Sequence, residues 1–160
     1  METKTSMIKL YKRTEEGLFY HEAWISGMQI IEHKGKVGTN GEAYSFDYTK
    51  GQPDELSLER TLKSARKKGF EEIPPEAHHE VSLRWNYETT PKELKKINEE
   101  LEEILNEILG WQGLGEVQNI TANNRQSEIR CLVVNQEITV NRFSEVLLES
   151  RYSGYEICSL

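Results

Sequence analysis

A chain of 160 residues has room for one domain or two small ones. Hydrophobic residues make up 36% of it, with three Trp, seven Tyr and four Phe, which is enough to build a core and excludes the composition of a disordered chain. No apolar run approaches a membrane span and the first ten residues lack the apolar region of a secretion signal, so a cytoplasmic protein with no membrane partner is expected. The net charge of −7 is uneven: residues 1–79 carry 12 Lys/Arg against 13 Asp/Glu, residues 80–160 carry 8 against 14. The second half should therefore repel phosphate backbones, whose binding depends on neutralising cations.

Four strands are predicted first, over 7–13, 18–25, 28–34 and 42–48, with Ser26-Gly27-Met28 turning between the second and third. His33-Lys34-Gly35-Lys36-Val37-Gly38-Thr39-Asn40-Gly41 reads as a tight hairpin. Its Asn-Gly pair is expected to form a two-residue turn with positive φ at both positions. A loop over 49–54 leads to a helix over 57–68. Leu58, Leu62 and Ala65 recur on one face of it, and Gly69 follows as its C′ residue. A curved antiparallel sheet carrying one helix follows from this pattern.

Ile73-Pro74-Pro75-Glu76-Ala77-His78-His79 breaks the helix pattern and marks a boundary, with units at 1–74 and 80–160 and a linker at 75–79. Val81–Tyr87 alternates apolar and polar residues as a half-buried strand does. Thr90, Pro91 and Glu93 then give a helix its cap, its N1 proline and its capping-box acid. The apolar stripe Leu94, Ile97, Leu101, Ile104, Leu105, Ile108, Leu109 continues to Gly110, where the helix is expected to end. Strands over 113–120 and 128–134, a helix over 141–150 with Phe143, Val146, Leu147 and Ser150 on one face, and a last strand over 155–160 complete the chain. The order βαββαβ is that of the ferredoxin-like fold, and the expected class is α+β.

Gly-Lys-Val-Gly-Thr-Asn-Gly in a hairpin, followed by a helix that closes on Lys67-Lys68-Gly69-Phe70, resembles the WGR domain family. The likeness covers about the first half of the chain, and the second half is loosely similar to small bacterial ferredoxin-like α+β domains. The family's Trp-Gly-Arg signature corresponds to Lys34, Gly35 and Lys36. In its DNA-repair members the Trp and basic residues contact a DNA end. Here the aromatic platform is absent, and Lys replaces the planar guanidinium that grips phosphate with two bonds. The resemblance thus implies a binding module, with nucleic-acid affinity that is weak at best.

Lys63, Arg66, Lys67 and Lys68 form a basic cluster at the end of the first helix, where cations also complement the helix dipole. Together with Lys34, Gly35 and Lys36 they are the candidate partner-binding residues of the first unit. Glu99, Glu103 and Glu107, with Glu100 and Glu102, lie opposite the leucine stripe of the long helix as an acidic docking face. His78 and His79 are adjacent, so their side chains point apart, and no third ligand accompanies them; no metal or cofactor is expected. His21 and His33 read as surface or satisfied core residues. No nucleophile–base pair, serine elbow or carboxylate dyad can be picked out, so no catalytic residue is assigned and the protein is expected not to be an enzyme. The favoured function is that of a bacterial protein-binding protein whose acidic half captures a basic partner, as toxin-neutralising proteins do; the alternative is a weak nucleic-acid-associated WGR-type module. Cys131 and Cys158 are expected to be buried free thiols. In a ferredoxin-like sheet their strands, the third and fourth of the unit, flank the first and are not neighbours.

Overall fold

The computed structural model describes residues 6–48, 51, 53–85, 90–122, 126–149, 152 and 154–159. Thr49, Lys50 and Gln52 of the predicted loop, Asn86 and Tyr87 of the predicted strand, Ser150 of the helix stripe and Leu160 lie outside the described residues. The chain is α+β and divides into two units, Met1–Ile73 and Pro74–Leu160. Each contains one antiparallel four-stranded sheet.

In the first unit, strands β1 (Met7–Thr14), β2 (Gly17–Ser26), β3 (Gln29–Lys36) and β4 (Glu42–Asp47) pair in chain order, and helix α1 (Asp54–Lys67) follows. Alternation along the strands sends Leu10, Ala23, Ile25 and Ile30 to one face. There they meet Leu58, Leu62 and Ala65 of α1, with Ile8, Tyr48 and Phe70 packed around them. α1 rests on β1 and β2, and so leaves this face of β4 uncovered. The helix starts three residues before the predicted Ser57, because Asp54 and Glu55 complement its positive end directly after Pro53. It stops in a Schellman motif: Gly69 has φ +98°, and the Phe70 and Gly69 amides donate to the Ala65 and Arg66 carbonyls. Phe70 is thereby folded back onto the core. A two-way bond between Tyr11 and Glu71 ties the segment after α1 to β1.

The hairpin between β3 and β4 differs from the one expected. Its connection is the five residues Val37–Gly41, and φ is positive at Gly38 (+94°) and Gly41 (+61°) but not at Asn40. The Asn-Gly pair therefore does not make a two-residue turn. The longer loop folds over the sheet, and side chains beneath it hold it there.

In the second unit the prolines form a 3₁₀ turn, Pro75–Ala77, and His79 already belongs to strand β5 (His79–Trp85). Helix α2 (Pro91–Trp111), strands β6 (Gly115–Ala122) and β7 (Ser127–Val133), helix α3 (Gln136–Val146) and strand β8 (Tyr155–Ser159) follow. The sheet order is β6-β7-β5-β8, all antiparallel, so β5 lies between β7 and β8. α2 packs on β6 and β7, and α3 packs on β5 and β8. Val81, Leu83, Ile129, Cys131 and Val133 form the sheet's share of the core beneath them, against Leu101, Leu105, Leu109 and Phe143.

The start of α2 is as predicted: Thr90 Oγ1 accepts the Glu93 amide at 3.2 Å and Pro91 occupies N1. Its end is not. Gly110 lies inside the helix, and Gly113 (φ +64°) supplies the left-handed residue while the Leu114 amide returns to the Leu109 carbonyl. α3 begins five residues before the predicted start, because the Asn135 side chain accepts the Ile138 amide and caps it.

Cys131 and Cys158 are free. They oppose Val81 and Ser82 on either side of β5, consecutive residues whose side chains point to opposite faces. Two strand spacings, about 10 Å, also separate them, which is beyond bridging distance. Cys131 is buried and its thiol is pushed up to about 12 by that burial, whereas Cys158, expected to be buried, is only half-buried. Titration with a thiol reagent should find two thiols without reductant. Cys158 should react with the folded protein, and Cys131 only on denaturation. A single fast step for both would contradict this placement.

Candidate functional site

On the face of the first sheet away from α1, β2 places Tyr20, Glu22 and Trp24 in a row. The register sets Glu22 opposite His33 of β3, and Tyr20 opposite Gly35. Tyr20, Glu22 and His33 are all buried, with exposures of 1%, 2% and 0%. His33 Nδ1 lies 2.8 Å from Glu22 Oε1, and Nε2 lies 2.5 Å from the Asn40 carbonyl and 3.2 Å from Tyr20 Oη. The Tyr20 hydroxyl donates to the Thr39 carbonyl at 2.8 Å, so its oxygen is left to accept.

The Glu22 carboxylate, the Asn40 carbonyl and the Tyr20 oxygen all face the His33 ring nitrogens as acceptors, and the geometry suits an imidazolium that donates from both nitrogens. Burial works against that charge. The Glu22 carboxylate and the Asn40 carbonyl outweigh it and hold the His33 pKa above its ordinary value. Tyr20 is pushed up to about 12, first by burial and then by the charge of Glu22, so it stays a neutral donor. Trp24 closes one side edge-on, its ring centroid 6.0 Å from that of His33.

This cluster explains the glycines. A Cβ on Gly35 would stand 2.7 Å from Gly41 Cα and 2.8 Å from Tyr20 Oη, too close for any side chain. The loop descends onto Gly35 because Tyr20 and His33 grip the Thr39 and Asn40 carbonyls. The motif residue Gly35 therefore serves close packing.

Lys34 and Lys36 are exposed on the opposite face, toward the α1 side. The Lys34 ammonium sits 5.6 Å above the Tyr44 ring, and Lys36 lies over Gly17. Lys12 donates to the Lys68 carbonyl at 2.6 Å. His21, directly opposite Lys34, is edge-on to Phe70. Burial lowers its pKa, Glu32 opposes that shift, and the charges of Lys34 and Lys68 reinforce it. His21 Nε2 is 3.5 Å from Glu32 Oε2, within ion-pair range but misaligned for a hydrogen bond. Of the predicted basic residues, Lys34 and Lys68 thus converge around His21, joined by Lys12, which sequence reasoning did not single out. Arg66 is committed to both carboxylate oxygens of Glu59, while Lys63 and Lys67 are exposed along α1.

In the second unit, Glu99, Glu103 and Glu107 are exposed along α2, and Glu100 and Glu102 are half-buried. Glu103 and Glu107 have no cation three or four residues away on either side. The sheet differs: Glu80 pairs with Arg130, and Arg84 pairs with Glu128 at 2.6 Å. Sequence reasoning also missed a buried polar trio under α2. Asn98 donates to Ser127 Oγ at 2.8 Å and accepts from the Tyr155 hydroxyl. Its position, four residues after Leu94 and three before Leu101, marks it as a polar residue on the core stripe.

His33 and His21 affect pH stability in opposite directions. The raised folded pKa of His33 means that its contribution is complete below about pH 6.5, the unfolded value, and is lost as pH rises through the folded value. His21, with a lowered pKa, weakens the fold as pH falls below about 6.5. The His33 share is therefore read as the stability gap between wild type and His33→Gln. That gap should be widest near pH 5.5 and shrink toward pH 9; a gap that grows with pH would refute the imidazolium assignment. Glu22→Ala should cost about 3 kcal/mol in denaturant unfolding, because it strands a buried cation. Gly41→Val should cost more than Gly38→Val, since a Cβ on Gly41 would meet the Lys34 carbonyl and Tyr20 as well as a strained φ.

Set against protein-family models, curated proteins and solved structures, the chain matches none of them.

Proposed function

We propose that this is a non-enzymatic binding protein, with a WGR-like sheet unit followed by a ferredoxin-like unit, that takes a basic protein partner on the exposed acidic side of α2. The observation that carries this reading is the contrast in charge pairing within one unit. Glu80 and Glu128 of the sheet are matched to Arg130 and Arg84, while Glu99, Glu103 and Glu107 succeed each other at four-residue spacing, with Lys95 and Lys96 one turn before Glu99 and no cation within a turn of Glu103 or Glu107. Like charges so spaced cost an isolated helix a few tenths of a kcal/mol per pair, about 0.2–0.5. A partner's Lys or Arg side chains relieve that repulsion on docking. The −6 balance of residues 80–160 would also speed the capture of a cationic partner, the behaviour expected of a toxin-neutralising protein. The strand order β8-β5-β7-β6, fourth-first-third-second in the unit, supports the ferredoxin-like reading.

A second reading has one observation in its favour: Lys12, Lys34 and Lys68 gather at one end of the first sheet. That patch suits weak phosphate contact by a WGR-type module. The absent tryptophan and the near-neutral first half keep the expected affinity low.

Two measurements separate the readings. A column of wild-type protein should retain a basic protein from the native host that the triple variant Glu99→Lys, Glu103→Lys, Glu107→Lys does not; identical retention by both would remove α2 from the account. A blunt-ended duplex should bind only at low salt, with Lys34→Ala lowering the salt slope by about one. Sub-micromolar duplex binding at physiological salt would reverse the order of the two readings.

A further inference from the structure

β4 is exposed at all six positions, on both faces, and forms the outer strand of its sheet. Tyr44 is 48% exposed and Phe46 41%, side by side on the face that α1 leaves uncovered. Natural edge strands are usually short, charged or covered, so a six-residue edge with two aromatic residues at its centre suits a strand partner.

Backbone direction along β4 follows from its neighbours. The two-residue turn at Gly27-Met28 makes Ser26 and Gln29 a hydrogen-bonded pair, which turns the polar groups of Ile30 toward β4 and its partner Phe46. The Tyr48 amide, which donates to the Met28 carbonyl, has the same parity. Glu42, Tyr44 and Phe46 therefore bond inward to β3, and Ala43, Ser45 and Asp47 present their N–H and C=O groups to the free edge.

We propose that this edge pairs with β4 of a second copy of the chain, antiparallel about a two-fold axis at Ser45, to make one continuous eight-stranded sheet. Only that register uses all three outward residues. Ser45 bonds to Ser45 of the second copy, and Ala43 bonds to Asp47 in both directions, about six hydrogen bonds in total. It also sets Tyr44 opposite Phe46 of the other copy, twice, at non-hydrogen-bonded positions, where cross-strand side chains approach most closely. Four aromatic rings then floor a trough between the two α1 helices. Centring on Tyr44 instead leaves one outward residue of each strand without a strand partner. Centring between Tyr44 and Ser45 faces inward groups to outward ones and sets Glu42 against Asp47. The register therefore selects a second copy without opposing like charges. The first half of the chain, at 12 Lys/Arg to 13 Asp/Glu, adds little repulsion.

A contact of this length belongs to the weak, transient class of interface. Sedimentation of the full chain over a wide concentration range should show a reversible monomer–dimer equilibrium. Ser45→Pro removes an edge donor that has no backbone partner among the described residues, and Phe46→Glu puts an acid into the aromatic pair. Each should weaken the dimer tenfold or more, with thermal melting to establish that the variants fold. Protein that stays monomeric at the highest concentration, or a dimer unmoved in both folded variants, would overturn the proposal. Loss of basic-partner capture by the α2 variants would leave this result unchanged.

Discussion

The first unit depends on a buried ion pair. Glu22 and His33 stand opposite each other on neighbouring strands, on the face away from α1, and both are enclosed. A charge buried there without a partner would cost several kcal/mol, so the two residues require each other and a dry cover. The five-residue loop is that cover. Its Thr39 and Asn40 carbonyls accept hydrogen bonds from Tyr20 and His33, and its glycines permit the approach. The sheet is thus closed on one face by apolar packing under α1, and on the other by a polar cluster under a loop. Replacing such a pair by apolar residues can be neutral for stability; what this one specifies is the position of the loop.

That division explains why the two sides of β3 play different parts. His33 and Gly35 point into the cluster and fix backbone geometry. Lys34 and Lys36 alternate to the other side, where they are free to meet solvent or a partner. The second unit repeats the contrast in another form. Two sheet carboxylates pair with arginines across strands and the buried polar trio is bonded internally, while Glu103 and Glu107 of α2 have no cation within a turn of the helix. In both units the groups that complete their bonds within the chain shape the fold, and those that do not are the candidates for binding.

Much of the architecture was legible in the sequence. Alternation and helical stripes located all eight strands and all three helices among the described residues, because, β4 apart, each element buries an apolar face against its own neighbours. The Thr90-Pro91-Glu93 start of α2 was readable for the same local reason. What misled was any feature decided by distant contacts. Asn40-Gly41 has the chemistry of a two-residue turn, yet the loop geometry is set by Tyr20 and His33, 20 and 7 residues before Asn40. Gly110 looks like a helix end, but Gly113 is the position from which Leu114 can reach the core. The basic cluster was half legible: Lys34 and Lys68 stand in motifs that the sequence marks, while Lys12 joined only through packing. Glu22, His33 and Tyr20 carry no local signal of their pairing, since only strand register brings them together.

The charge state of His33 tests the account most directly. Nitrogen-15 NMR of the imidazole rings near neutral pH, with the His33 signals assigned by their loss in His33→Gln, reports whether each ring nitrogen holds a proton. The account predicts that both Nδ1 and Nε2 of His33 are protonated, with the Nδ1 proton shifted far downfield by the Glu22 carboxylate. A neutral ring, with either nitrogen bare at that pH, would contradict it.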